Sequence, residues 1–196
     1  MRKNPRCLYD SSFREFIGDL ETSILGTMCD HYHGIALTTT REAWKAEISI
    51  MQETLFQCRV RDGHIIFEYD IPRLGKRIDV VLLLNGIIFC IEFKIGESQK
   101  LEADVDQVLD YALDLKNFHK YSQDKVIVPI LVPTEYRNIP SKVQPSGYDN
   151  RVIDPLVTGK TGLPALITAV LNEYPNEEPV NHNWIISPYA PTPTMR

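Results

Sequence analysis

The chain has 196 residues, 43% of them hydrophobic and 24% charged, with a formal net charge of -5. That length suits one domain that buries a core without disulfide or metal staples, and the charge excludes a polybasic, histone-like binder while leaving a nucleic-acid enzyme open. The 13 basic and 14 acidic side chains of residues 1–100 nearly cancel, against 8 and 12 in residues 101–196, so a site for an anionic substrate is expected in the first half.

The N-terminus, Met1 to Asp10, carries charge with no apolar segment behind it, and no later apolar run reaches the ~18 residues of a membrane span. A soluble, cytoplasmic protein with no membrane partner is expected. Phe13, Phe16, Ile17, Leu20, Ile24 and Leu25 recur at helical spacing and predict one helix over 12–30, capped by Ser12. A second helix is predicted from an N-cap at Thr40 to Cys58. Its stripe of Ala43, Trp44, Ile48, Met51 and Leu55 contains one carboxylate, Glu47.

Three strands follow, His64–Tyr69, Arg77–Leu84 and Ile87–Lys94, rich in Ile, Val, Leu and Phe. Asn85-Gly86 between the last two is the dipeptide that most favours a two-residue type I′ turn. A helix over Leu101–Phe118 leads to an apolar strand, Lys125–Val132, and a helix between strands makes a crossover to a parallel neighbour. Prolines at 133, 140, 145 and 155 mark loops, and a short amphipathic helix is predicted near Leu163–Tyr174. The fold class is α/β, a mixed β-sheet flanked by helices in α-βββ-α-β order. Residues 1–174 form the domain, and the Pro-rich residues 175–196 read as an extended arm or linker.

Cys7, Cys29, Cys58 and Cys90 lie 22, 29 and 32 residues apart, without the close pairs of a zinc site, and read as reduced, buried thiols. Gly159-Lys160-Thr161 has Asp154 where a phosphate loop needs its first glycine, so no ATP site is expected. His31 and His33 form an i, i+2 pair at a helix end that reads as surface or capping, and His64, His119 and His182 stand singly.

The hairpin holds the concentrated chemistry. With Asn85 and Gly86 in the turn, Asp79 falls opposite Glu92, and Lys94 shares their face with Arg77 opposite it. Two carboxylates on an otherwise apolar face need compensation. A divalent cation such as Mg²⁺ supplies it, and so does a salt-bridge cluster with Arg77 and Lys94; the hairpin alone leaves both open.

Asp79, twelve intervening residues and then Glu92-Phe93-Lys94 resemble the PD-(D/E)xK motif of the restriction-endonuclease-like nuclease superfamily, with Ile78 in place of the motif's proline. Gln107 and Tyr111, four apart on the following helix, resemble the Q-x-x-x-Y pattern of RecB-type exonucleases within it. Phe67-Glu68-Tyr69-Asp70-Ile71-Pro72, Lys76 to Leu83, and Ile91-Glu92-Phe93-Lys94 resemble the nuclease-like N-terminal region of bacterial Schlafen-like helicases, and Ser187 to Thr194 resembles the segment that leads into their helicase domain.

The resemblance implies a restriction-endonuclease-like core and a Mg²⁺- or Mn²⁺-dependent deoxyribonuclease. Asp79 and Glu92 would be metal ligands, joined by Glu47, whose nearest rival is Glu53. Lys94 would act on the nucleophile or on charge growing at phosphorus, and Gln107 and Tyr111 would contact substrate or orient Lys94. Arg73, Lys76 and Arg77 could grip flanking phosphates, or form an ordinary solvated basic edge. The implied partners are DNA, with RNA as the alternative, and a helicase domain or subunit. The rival to catalysis is an inactive nuclease-like module that binds nucleic acid or protein.

Overall fold

A computed structural model describes residues 6–191. Its strands join into one sheet in the order β1-β2-β3-β4-β5-β6: β1 Tyr9–Ser12, β2 His64–Ile71, β3 Lys76–Leu84, β4 Ile87–Lys94, β5 Val126–Pro133 and β6 Leu156–Val157. The first four are antiparallel and β4, β5 and β6 run parallel. The helices are α1 Phe13–Gly18, α2 Glu21–His31, α3 Thr38–Cys58, α4 Glu102–Phe118 and α5 Leu163–Glu173. Among the described residues, no helix is long and apolar enough to cross a membrane.

Buried strands with apolar side chains on both faces need a cover on each. On one face, Phe13, Ile24, Ile48 and Ile167 of the first three helices and α5 pack against Val80, Leu82, Phe89 and Val128. On the other, Val108, Ala112 and Leu115 of α4 meet Val81, Ile88 and Ile127. The crossover through α4 makes β5 parallel to β4, as the helix between them predicts.

The β3–β4 hairpin has the predicted register, Leu84 opposite Ile87 and Val80 opposite Ile91. Asn85 and Gly86 both take positive φ, 49° and 78°, as a type I′ turn requires.

The single helix expected over 12–30 is two. Asp19 is extended at the end of α1, and the Gln52 side chain of α3 binds the Phe16 and Asp19 carbonyls there. Leu20, counted in the apolar stripe, is exposed at the break. Ser12 does cap α1, in a capping box with Glu15. Helix α3 begins at Thr38 rather than after Thr40, and its first turn lacks a side-chain cap. The four cysteines are free thiols, Cys7 and Cys90 buried and the other two half-buried.

The tail is irregular but packed. Trp184 is fully buried, against Tyr69 and His119. The Lys120 and Ala190 N–H groups donate to the Pro188 and Phe118 carbonyls, and the Tyr121 N–H to Ser187 Oγ, so the segment ties down the connection from α4 to β5. Prolines keep this stretch out of regular ladders, and one large aromatic is enough to dock it. Thr192, Pro193 and Thr194, which end the helicase-like stretch of sequence, lie outside the described residues.

Candidate active site

The ladder between β3 and β4 stops at Val80 and Ile91, so Asp79 and Glu92 lie just past the last pair, where the strands part. There the Phe93 backbone N–H donates to an Asp79 carboxylate oxygen at 2.8 Å.

The neighbouring edge of β3 also changes. Phe67 and Val80 face the α3 side, whereas Tyr69 and Ile78, one pair further on, face the α4 side. The switch falls on Glu68 and Asp79, and Glu68 takes a φ of 55°, rare for a residue with a β-carbon. This change of face explains where Arg77 goes. It lies near Glu68, 3.8 Å away, and over the Tyr32 ring, not beside Lys94 as strict alternation predicts.

Both helical layers supply groups to this opening. From α3, Glu47 enters buried, and Trp44 Nε1 donates to Glu68 at 3.2 Å. From α4, Gln107 Nε2 donates to Glu92 Oε1 at 3.1 Å and to the Tyr111 hydroxyl. Lys94 Nζ lies 3.1 Å from Glu92 and 3.3 Å from Asp104. Glu47, Glu68, Asp79, Glu92 and Lys94 line one open recess of about 460 Å³.

Glu47, Glu68, Asp79 and Glu92, with exposed Glu97 at the rim, cannot all ionise around one recess without cost. Burial, then repulsion from Asp79, Glu68 and Glu92, drives Glu47 well above the ordinary carboxylate range. Asp79 is raised in the same way by burial, Glu92 and Glu68, against the Phe93 hydrogen bond. Glu68 and Glu92 are raised chiefly by burial, with Trp44 and Lys94 respectively pulling them back. Burial depresses Lys94, but Glu92 and Asp104 outweigh it and the net shift is upward. Its ammonium therefore stays charged at neutral pH.

Glu47 Oε2 and Glu92 Oε2 are buried and accept no hydrogen bond. An orphaned carboxylate oxygen is expensive, and a hard divalent cation is the group that such oxygens suit. Among the described residues, no three acidic, histidine or cysteine side chains are drawn together into a ready-made cage. A Mg²⁺ ion does not need one, since it takes one or two carboxylates and keeps water and phosphate oxygens. Asp79 and Glu92, with Glu47, are the residues that could hold it.

Asp79, Glu92, Glu47 and Lys94 thus line one recess, with Gln107 bonded to Glu92 and Tyr111 bonded to Gln107 behind it. The structure does not bring the three basic residues to the acids as a group. The Arg73 guanidinium binds buried Asp114 at 3.2 Å and stacks over Phe118, at the far end of α4. Lys76 is exposed, and only Arg77 reaches the recess, through Glu68. Glu53 lies on another face of α3, beside Gln57.

Three acids were not expected here, Glu68, Glu97 and Asp104. Glu68 and Asp79 fall together in the break between the Phe67–Val80 and Tyr69–Ile78 pairs of β2 and β3, but the turn between those strands is Pro72-Arg73-Leu74-Gly75, which has no two-residue signal to set the register. Asp104 lies three residues before Gln107 on α4, one turn back on the same helix face, and that spacing could have revealed it.

Comparison with protein-family models, with curated proteins and with solved structures finds no match to this chain.

Proposed function

We propose that this chain is a metal-dependent nuclease of the PD-(D/E)xK type, with a restriction-endonuclease-like core, that hydrolyses DNA phosphodiester bonds. The observation that carries the reading is the pair of buried, partnerless oxygens of Glu47 and Glu92 around Asp79, with a charged lysine at the same opening. The ion pairs of Lys94 leave both oxygens unsatisfied, whereas a divalent cation would take them up.

Asp79 and Glu92, with Glu47 as a third acid, would hold the Mg²⁺ or Mn²⁺ ion. When bound, the ion supplies a Lewis acid for the phosphoryl oxygens and a water of lowered pKa. Lys94 carries a positive charge at neutral pH to the mouth of the recess, where negative charge would grow on the transferring phosphoryl group. Gln107 holds the Glu92 carboxylate in one orientation and is itself held by Tyr111. These two are positioning residues rather than acids or bases.

A helicase domain or subunit fits this reading as a partner. RNA is the alternative substrate. The second reading, a non-catalytic binding module, draws on the ion pairs that Lys94 already makes with Glu92 and Asp104.

The deciding experiment incubates purified protein with linear single- and double-stranded DNA and with RNA, in Mg²⁺, Mn²⁺ or EDTA. Cutting is expected only with metal. Asp79→Asn, Glu92→Gln and Lys94→Ala should each lower the rate at least about a hundredfold while circular dichroism stays unchanged. Equal cutting by all three variants overturns the site, and no cutting by the wild type favours the binding module.

A further inference from the structure

The far end of α3 carries a second concentration of chemistry that the recess does not use. Phe56 is 70% exposed, although Leu55 beside it is fully buried. Arg59 caps the helix in a left-handed conformation, its N–H bonded to the Phe56 carbonyl, and Arg61 lies just beyond. Arg14 reaches the same place from α1. These four side chains line a broad recess of about 1000 Å³. Arg14 is bound by Asp62 at 3.0 Å, and among the described residues no ion pair engages Arg59 or Arg61.

Three guanidiniums with one local carboxylate and a bare aromatic ring match a polyanion that also carries flat, apolar groups. Guanidinium groups bind phosphates and an exposed ring stacks a base, the combination by which proteins hold single strands. A groove of about 560 Å³ along α3, lined by Ile50, Glu53, Thr54, Thr134 and the Lys160–Glu135 ion pair, shares Gln57 with this recess and Ile95 with the acid recess.

We infer that Arg14, Phe56, Arg59 and Arg61 form an anchoring site for single-stranded nucleic acid, remote from the acids and joined to them by that groove. The choice of nucleic acid over another polyanion rests on the nuclease reading. The site itself does not need cleavage.

The test measures binding of a fluorescent single-stranded oligonucleotide in EDTA, where metal-dependent cutting is absent, across a salt series. The Arg59→Gln/Arg61→Gln variant should bind at least about tenfold more weakly, and the slope of log K against log salt should shrink by about 1.4, two phosphate contacts' worth for a single strand. Phe56→Ala should weaken binding about fivefold or more with the salt slope unchanged. Unchanged binding in both variants overturns the inference. So does a drop in melting temperature alone, which would make the arginines partners of the helix dipole and nothing else. Preference for anionic lipid vesicles over the oligonucleotide also overturns it. A wild type that binds through these residues but never cuts keeps the anchoring site and rejects the nuclease reading.

Discussion

The Asp79 carboxylate of β3 accepts a hydrogen bond from the Phe93 backbone N–H of β4 at 2.8 Å, just beyond the point where the two main chains stop pairing. A side chain thus takes the place of the next backbone rung. The acid sits between the strands instead of on one face of them, and so it acts on Glu47 from the α3 layer and is acted on by Glu92, backed by α4. The splayed hairpin is what lets groups from opposite sides of the sheet share one opening.

Glu47 sets the first expectation, a dependence of stability on pH. Its pKa is raised in the folded chain by burial and by the neighbouring carboxylates. A raised group holds its proton more tightly when folded. Its contribution is therefore complete below the ordinary carboxylate pKa and is lost as pH rises through the raised value. Urea unfolding in EDTA should show wild type losing stability relative to Glu47→Gln as pH climbs from about 4.5 through neutrality. A stability difference that is flat or opposite in sign would show that Glu47 is not crowded by its neighbours.

Metal should reverse that loss. A cation that binds only the folded chain stabilises it by about 2.7 kcal/mol at one hundred times its Kd. Melting in Mg²⁺ or Mn²⁺ against EDTA should therefore shift upward by several degrees in wild type. Asp79→Asn and Glu92→Gln should each abolish the shift, because each removes a ligand charge. Identical melting with and without metal in wild type would leave the acids as a buried cluster and favour the binding module.

How far the sequence reveals this arrangement depends on how local each signal is. Asn85-Gly86 determines a register over ten residues, so the positions of Asp79, Glu92 and Lys94 along the hairpin could be read directly. Helical spacing likewise placed Glu47 toward the sheet and Gln107 beside Tyr111. The change of face at Glu68 and Asp79 was not legible, because alternation extrapolates through a kink that only tertiary contacts create. The same extrapolation put Arg77 beside Lys94. Strand β1 and the two-residue β6 are too short to show a pattern, and the turn at Asp19 interrupts a stripe that composition alone would continue.

Gly86 should prove intolerant of a side chain for two separable reasons. Its φ is 78°, and an added β-carbon would stand 2.4 Å from the Glu178 carbonyl oxygen. Gly75, at φ 59°, has open space instead. Gly75→Ala should then cost only the left-handed backbone penalty, about 1–2 kcal/mol. Gly86→Ala should cost clearly more in chemical denaturation, the excess measuring how firmly residues 177 and 178 lie on the turn. Equal losses would mean that this part of the tail yields easily.

The tail is also held by a histidine whose neutrality is specified by hydrogen bonding. Trp184 Nε1 donates to Ser122 Oγ at 2.8 Å, and Ser122 Oγ lies 2.7 Å from His119 Nδ1. On the other side, His119 Nε2 is 3.2 Å from the Tyr69 hydroxyl, which donates to the Ile185 carbonyl. Each proton is used once only if Nδ1 accepts and Nε2 donates, which describes a neutral ring. Burial, with Arg6 adding to it and a hydrogen bond to the Trp184 backbone opposing, lowers the pKa from 6.5 to about 3. A depressed histidine contributes stability above its unfolded pKa and loses it as pH falls from 6.5 toward 3, opposite in sign to Glu47. Imidazole NMR signals, assigned with His119→Gln, should stay constant from pH 8 to 5. Below that range, protonation should release the tail, so that protease cuts after Glu178 accelerate in step with the histidine signal. A midpoint near 6.5 with the tail still protected would show that the ring accepts a proton without disturbing the chain that docks on it.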